Sequence, residues 1–438
     1  MTGLWSGLEV KRNMDRKEKK YRIRLILIFS LILIVGVTAG EDQPHGIKIL
    51  GVSYAFATNV AADINGNVYV LGNTSGKLNG NQYYGESDIF LCKYDSRGNE
   101  QWLIQFGSKK EDEPVGLDID ASGNIYIIGN TQGDLDGNGN YGERDIFIIK
   151  YNGSGVKQWV RQLGTQELDW AWGIATDKNG NVYIAGNADG KLEENESHGK
   201  TGFFIAKYDN AGNKKMVKSY GGGEIYRSQS IDCDTSNNVY VVGWTYGKKD
   251  VFIAKYNTDL AEQWVRQFGT PASDYAYAVT TDKNNNIYLT GYTFGDLEGI
   301  NIGSSDGFVA KYSLNGEKQW IRQFGTSKMD RALGIDTDDK NNVYIVGWSK
   351  GARAKDDTES FFTKYDSNGN KQWFKPLDII GFNDANGICF NRKNNYIYIA
   401  GKIRAGTFKQ DMGNGLTIMG GGGVDSFLIS YDSDGLMR

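Results

Sequence analysis

Four oxygen-bearing side chains in one loop, Asp134, Asp136, Asn138 and Asp145, stand at positions 1, 3, 5 and 12 with Gly139 at position 6. That is the spacing with which a calcium loop wraps a single ion. Other features oppose it: position 12 is Asp rather than Glu, no helical pattern flanks the loop, and the corresponding loops begin at Lys77 and Lys191. Calcium is the candidate cofactor, and no other is expected. The remaining chemistry-bearing residues form no catalytic set. Only His45 and His198 could supply an imidazole base, and both lie in polar stretches expected to be solvated. Cys92, Cys233 and Cys389 make no Cys-x-x-Cys pair and are expected to fill core positions as small apolar residues. Acidic residues recur too regularly to be a catalytic pair: Asp63, Asp120, Asp177, Asp234, Asp282 and Asp338 form one series, Asp112, Asp169, Asp274 and Asp330 a second. Recurrence at turns points to Asx capping.

That recurrence organises the chain. Asp177-Lys-Asn-Gly-Asn-Val-Tyr-Ile-Ala-Gly186 has close copies throughout, with tyrosines at Tyr69, Tyr126, Tyr183, Tyr240, Tyr288, Tyr344 and Tyr398, spaced 57, 57, 57, 48, 56 and 54 residues apart. A period of that size is a repeat architecture. In the third unit, Asp169 to Asp177, Val182 to Gly186, Phe203 to Tyr208 and a segment from Lys214 read as four short strands, a to d, parted by Gly, Asn and Asp turns. Four strands make one blade, so the expected fold is all-β, a seven-bladed β-propeller. The 58 Gly, 4 Pro and 26 Tyr agree with many short strands and tight turns. Strands a, b and c occur seven times but strand d only six. Because Gly46 to Leu50 aligns with Trp159 to Leu163, the N-terminal segment is expected to supply the outer strand of the last blade and close the ring.

The spacing from the strand-b Gly to the acidic start of strand c is 16, 16, 16, 7, 15, 12 and 24 residues, so the b-to-c loop varies. With antiparallel strands it shares a rim with the d-to-a connection, and a rigid scaffold presents binding loops in this way. Aromatic residues then divide by whether the repeat explains them. Trp102, Trp159, Trp264, Trp320 and Trp373 recur in strand d and are expected to pack blades, with Arg161, Arg266 and Arg322 able to lie across the rings of Trp159, Trp264 and Trp320. Trp170, Trp172, Tyr275 and Tyr277 do not recur, since equivalent positions hold Glu113, Val115, Arg227, Gln229, Arg331 and Leu333. Trp244, Tyr292 and Trp348 follow the strand-b Gly where other blades carry Asn or Lys. These seven aromatics, with Arg227 and Arg331, are the candidate ligand-binding set near the loop-rich rim or channel mouth.

At the N-terminus a basic stretch ending at Arg24 precedes the apolar run Leu25 to Ala39 and the acidic Glu41-Asp42. About 15 apolar residues fall short of the ~20 a spanning helix needs. Val37-Thr38-Ala39 suits signal peptidase, so residues 1–40 are expected to be a cleaved signal or an N-terminal anchor, with 41–438 as the propeller outside the cytoplasm. Met14 is an alternative start. A net charge of −4 gives no basic footprint for nucleic acid.

Asp-x-x-Gly-Asn-Val-Tyr-x-x-Gly, Asp-x-Phe-x-x-Lys-Tyr and Gln-Trp-x-x-Gln-Phe-Gly, in that order over about Gly46 to Arg438, resemble the bacterial seven-bladed β-propeller repeat family SBBP. The resemblance implies an exported or surface propeller and no common activity. The expected function is a non-enzymatic, monomeric scaffold that binds an envelope or extracellular protein or glycan, with the membrane reached only through the N-terminal segment. The rival expectation is a hydrolase or lyase acting on polysaccharide at the axial channel, with Arg227, Gln229, Arg331 and Asp384 converging there.

Overall fold

The computed structural model describes residues 48–50, 55–135, 137, 139–192, 202–220, 226–247, 249–298, 300–350, 358–377, 379, 383–405, 409–411, 417–419 and 423–438. Asp136, Asn138, His45, His198 and the apolar run Leu25 to Ala39 lie outside the described residues. Seven four-stranded antiparallel sheets form the blades of a propeller, and the described residues contain no helix. Blade 3, for example, runs Asp169–Thr176 (a), Val182–Ala188 (b), Phe203–Tyr208 (c) and Lys214–Tyr220 (d). The last blade takes three strands, Asn383–Asn391, Tyr396–Ala405 and Gly423–Tyr431, from the end of the chain and its outer strand, Lys48–Leu50, from the beginning. Lys48, Ile49 and Leu50 pair with Leu428, Phe427 and Ser426, the register in which Arg161, Gln162 and Leu163 pair with Ile148, Phe147 and Ile146. Met437 also bridges Tyr431, so the two chain ends share that outer strand.

Strands b and c are buried on both faces, which is why they read as near-continuous apolar runs. Their side chains meet the next blade: Tyr126, Ile128, Ile146 and Ile148 of blade 2 form one cluster with Ile174, Ile184 and Phe204 of blade 3. The turn joining a to b is built by the repeated Asp. Asp177 Oδ1 accepts the backbone N–H of Asn179 and Asn181 at 2.9 and 2.8 Å, while Oδ2 accepts Asn181 Nδ2 at 2.7 Å and the Tyr183 hydroxyl at 3.2 Å. The same clasp recurs at Tyr69, Tyr126, Tyr240, Tyr288 and Tyr344. The turn-capping reading of that Asp series is therefore correct. In blade 7, Asn391 replaces the Asp and Asn394 donates to the Tyr398 hydroxyl at 2.9 Å.

Strand d clasps the following blade. Trp320 donates its indole N–H to Ser367 O at 3.2 Å, Arg322 Nε donates to Gly369 O at 2.9 Å, and Lys311 Nζ of strand c donates to Ser367 O at 2.9 Å. The Trp ring lies on Gly369, where a Cβ would come within 2.8 Å of it. Between blades 3 and 4 the partners change together. Met216 takes the Trp position, and Leu260, at φ +55°, takes the Gly position and packs against it. The strand-d tryptophans are blade-packing residues, as their recurrence implied. None of the three cysteines forms a disulfide among the described residues; Cys92 and Cys389 are buried and Cys233 partly so.

Candidate functional site

Every strand a carries a β-bulge at the same place, and the strand-b Gly permits it. A Cβ on Gly186 would sit 2.3 Å from the Trp170 carbonyl oxygen and one on Gly291 1.8 Å from that of Tyr275, so only Gly lets strand a approach so closely. The bulge leaves one residue per blade outside the ladder: Thr58, Val115, Trp172, Gln229, Tyr277, Leu333 and Asn386. All seven line the axial channel, a cavity of about 510 Å³ walled by the a strands. Re-aiming a side chain is what such bulges do.

Two residues earlier, strand a pairs directly with the residue after the strand-b Gly. Around the ring these pairs are Phe56/Asn73, Glu113/Asn130, Trp170/Asn187, Arg227/Trp244, Tyr275/Tyr292, Arg331/Trp348 and Asp384/Lys402. Blades 3 to 6 thus hold all nine candidate residues at equivalent rim or channel-mouth positions. Trp170 and Trp172 stack with centroids 6.1 Å apart at 14°. Trp244 stacks on Tyr246 and meets the edge of Tyr275 at 5.3 Å, which lies 5.0 Å from Tyr292. Tyr277 and Phe294 flank Tyr292. The Arg331 guanidinium spans two rings, Tyr292 at 4.6 Å and Trp348 at 5.1 Å, and Arg227 lies 5.9 Å from Trp244. The arc starts at blade 2, where Arg144 pairs with Glu111 and Glu113 at 3.2 and 3.0 Å and covers the Trp170 ring at 4.3 Å. On its far side Asp384 is paired with Lys402 at 3.0 Å. Tyr246 and Phe294 are 53% and 37% exposed, so the arc opens to solvent at its edge. Burial holds the Tyr292 phenol well above its ordinary range, with Tyr277 adding and Arg331 opposing, so it stays a neutral donor.

The b-to-c loops vary in length, but three of them share one set of anchoring bonds. In blades 1, 2 and 5 they are built alike: Leu78, Leu135 and Leu297 donate their backbone N–H to Gln105, Gln162 and Gln323 of strand d. Repeat bonds therefore hold those loops, and the candidate side chains come from strands. In the calcium-spaced loop, Asp134 Oδ1 accepts the Gly139 N–H at 3.0 Å, and Asp145 Oδ2 accepts Tyr141 N and Gln162 Nε2 at 2.6 and 2.9 Å. Asp88 and Asp306 make the equivalent bonds in blades 1 and 5. Asp145 Oδ1 is buried with no partner among the described residues.

Three groups escaped the sequence reading. Asp118, Asp232 and Asp336 face the channel from alternate blades, at a strand-a position that otherwise holds Ala61, Ala175, Thr280 and Cys389. Asp118 and Asp232 accept bonds from the backbone and hydroxyl of Thr176 and Thr281, and Asp336 accepts the Phe390 N–H at 2.7 Å. Burial pushes Asp118 up to about 6 and Asp232 up to about 7, with Asp118 adding to the latter. The available signal was their departure from an otherwise uncharged column.

Fold and rim together define a seven-bladed β-propeller scaffold of four-stranded blades with a closed ring. The beta-propeller repeat family SBBP matches residues 34–79, 101–136, 158–193, 263–298 and 319–352, each match from 101 onward running from strand d of one blade into a and b of the next. The chain thus carries stretches that match the SBBP beta-propeller repeat at five places. Over 141 residues it is 27% identical to the regulatory protein FlaEY of Caulobacter vibrioides, covering 29% of this chain and 15% of that one. Over 156 residues it is 26% identical to an uncharacterized WD repeat-containing protein of Acanthamoeba polyphaga mimivirus, covering 29% and 11%. The matches therefore span a small fraction of these relatives' length. The WD40 domain of Neurospora crassa Pan2 shares the fold at TM-score 0.52 and 10% identity, over 89% of this chain and 96% of that one.

Proposed function

We propose that the protein is an extracytoplasmic, non-enzymatic binding scaffold that engages a polymer or a protein partner through the aromatic arc of blades 3 to 6. The observation that carries this reading is positional. At identical places in one repeated backbone, four consecutive blades put aromatic rings and two arginines, while blades 2 and 7 put charges already neutralised by Arg144 and Lys402. Packing does not require rings there, because blades 2 and 7 fold without them and blade 1 carries only Phe56. The extracytoplasmic placement rests on Leu25 to Ala39 and the residues flanking it.

The enzyme reading needs polar residues that converge on the channel. Of Arg227, Gln229, Arg331 and Asp384, Gln229 alone lines it; the two arginines lie on rings, and Asp384 holds Lys402 and Thr358. The test is a combined Trp170→Ala, Trp172→Ala, Trp348→Ala variant, compared with wild type on arrays of glycans and envelope proteins. Loss of the bound partner by a variant that stays folded and unfolds cooperatively above the assay temperature supports the arc, and full retention removes it.

A further inference from the structure

The charges of the arc are one-sided: Arg227 and Arg331 are cations, while the tyrosine hydroxyls and the Asn187 amide can both donate and accept. Among the described residues no carboxylate lies within ion-pair distance of Arg227 or Arg331, and each guanidinium lies against an aromatic face. By contrast Arg161, Arg266 and Arg322 of strand d each hold a carbonyl of the next blade. Trp172 Nε1 and Arg331 Nε are enclosed with no acceptor among the described residues. The nearby acids, Glu113 and Asp384, are already neutralised and do not repel an anion.

Resting on the scaffold reading above, we infer that the arc binds a polyuronate, an acidic polysaccharide with a carboxylate on each sugar ring. Pyranose faces rest on the exposed rings of Tyr246 and Phe294 at the edge of the arc, and carboxylates meet the edges of Arg227 and Arg331. Each guanidinium lies against a ring and presents a planar fork, which matches the two coplanar oxygens of a carboxylate. A neutral glucan would leave both arginines without an acceptor, and a cationic partner would be repelled by them.

The experiment uses the full-length protein against immobilised polygalacturonate and its fully methyl-esterified form, which keeps the chain and removes the charge. Polygalacturonate is expected to bind at least ~10-fold more tightly than the ester, the size of one to two charge-assisted hydrogen bonds. Arg227→Gln with Arg331→Gln should bring its affinity down to that of the ester. Arg227→Lys with Arg331→Lys, which keeps the charge and loses the fork, should fall between. Soluble galacturonate oligomers should compete with the immobilised polymer on the unmodified protein, a readout that needs no variant, and dextran sulfate should compete less well. Equal binding of ester and acid, no binding of either, equal competition by dextran sulfate, or an unaffected double Gln variant each overturns the inference. If neither polymer binds but the triple Trp variant loses a protein partner, the uronate ligand is wrong and the scaffold stands. If polygalacturonate binds and the triple Trp variant binds it equally, the arc itself is wrong.

Discussion

The two rims of the propeller have the same seven-fold backbone but use it differently. On the rim of the a-to-b and c-to-d turns, repeated residues consume each other: the Asp177 carboxylate is filled by two backbone N–H groups, one Asn amide and one Tyr hydroxyl, and Lys150 donates to Asn210 O across the blade boundary. On the opposite rim the backbone is just as regular, down to the bulge in every strand a. Three side-chain positions per blade there are left unconstrained: the bulge residue, the residue two before it, and the residue after the strand-b Gly. The difference shows that the repeat uses its polar groups to lock the turns of one rim and the loop bases of the other, and leaves only these three positions open to specialisation.

The comparison breaks first on tryptophan. Trp320, 8% exposed and bonded to Ser367 O, belongs to the repeat. Trp320→Ala should cost about 3–5 kcal/mol of stability, whereas Trp348→Ala on the arc should cost about 1 kcal/mol, the size of its contact with Arg331. Urea unfolding of both variants measures the gap, and equal losses would erase the distinction between rims. Next, Tyr183→Phe should lower stability by about 1–2 kcal/mol by removing a donor to Asp177. A double-mutant cycle with Asp177→Asn should show coupling, whereas no coupling would mean that the Tyr acts through packing alone.

A smaller effect concerns the channel that joins the rims. Asp118 is raised by burial and by Asp120, Asp232 by burial and by Asp118, and Asp336 by burial against the opposing charge of Arg392. Between the ordinary aspartate range near 4 and the folded value of about 7 for Asp232, the folded state holds a proton that the unfolded chain has released. Stability from these groups is therefore present at low pH and lost as pH rises through that window. The melting temperature should be higher at pH 5 than at pH 8, and Asp232→Asn should flatten the difference; an unchanged slope in that variant would rule out Asp232 as its source. The smallest expected effect is at the calcium-spaced loop, where Asp134 and Asp145 already serve as acceptors for their own loop. A chelator should leave the melting temperature unchanged, and a rise on adding calcium chloride would assign Asp145 Oδ1 to the ion.

Much of this was legible from residue types alone. The seven tyrosines and their Asp partners announce both the blade count and the clasp, because one turn geometry demands the same side chains each time. Leu50 could be aligned with Leu163 because ring closure needs an outer strand in that register. The arc residues could be named as departures from the repeat. Their mutual stacking could not, since Trp244 and Tyr275, or Tyr292 and Arg331, come from different blades and meet only when the ring forms. The anchoring of the b-to-c loops was hidden for a similar reason: Leu135 and Gln162 are 27 residues apart, and their bond depends on strand d folding back beside the loop.

By itself the sequence determined the repeat, the strand pattern within it, and which positions the repeat does not dictate, because local turn chemistry and apolar periodicity are written in adjacent residues. Only the tertiary structure decided which of those free positions face one another. Blade curvature and the strand-a bulge, made possible by a Gly without a Cβ, turn Trp172 and Tyr277 into the channel mouth. The same geometry aligns Trp170, Trp244, Tyr275, Tyr292 and Trp348 with Arg227 and Arg331 into one face.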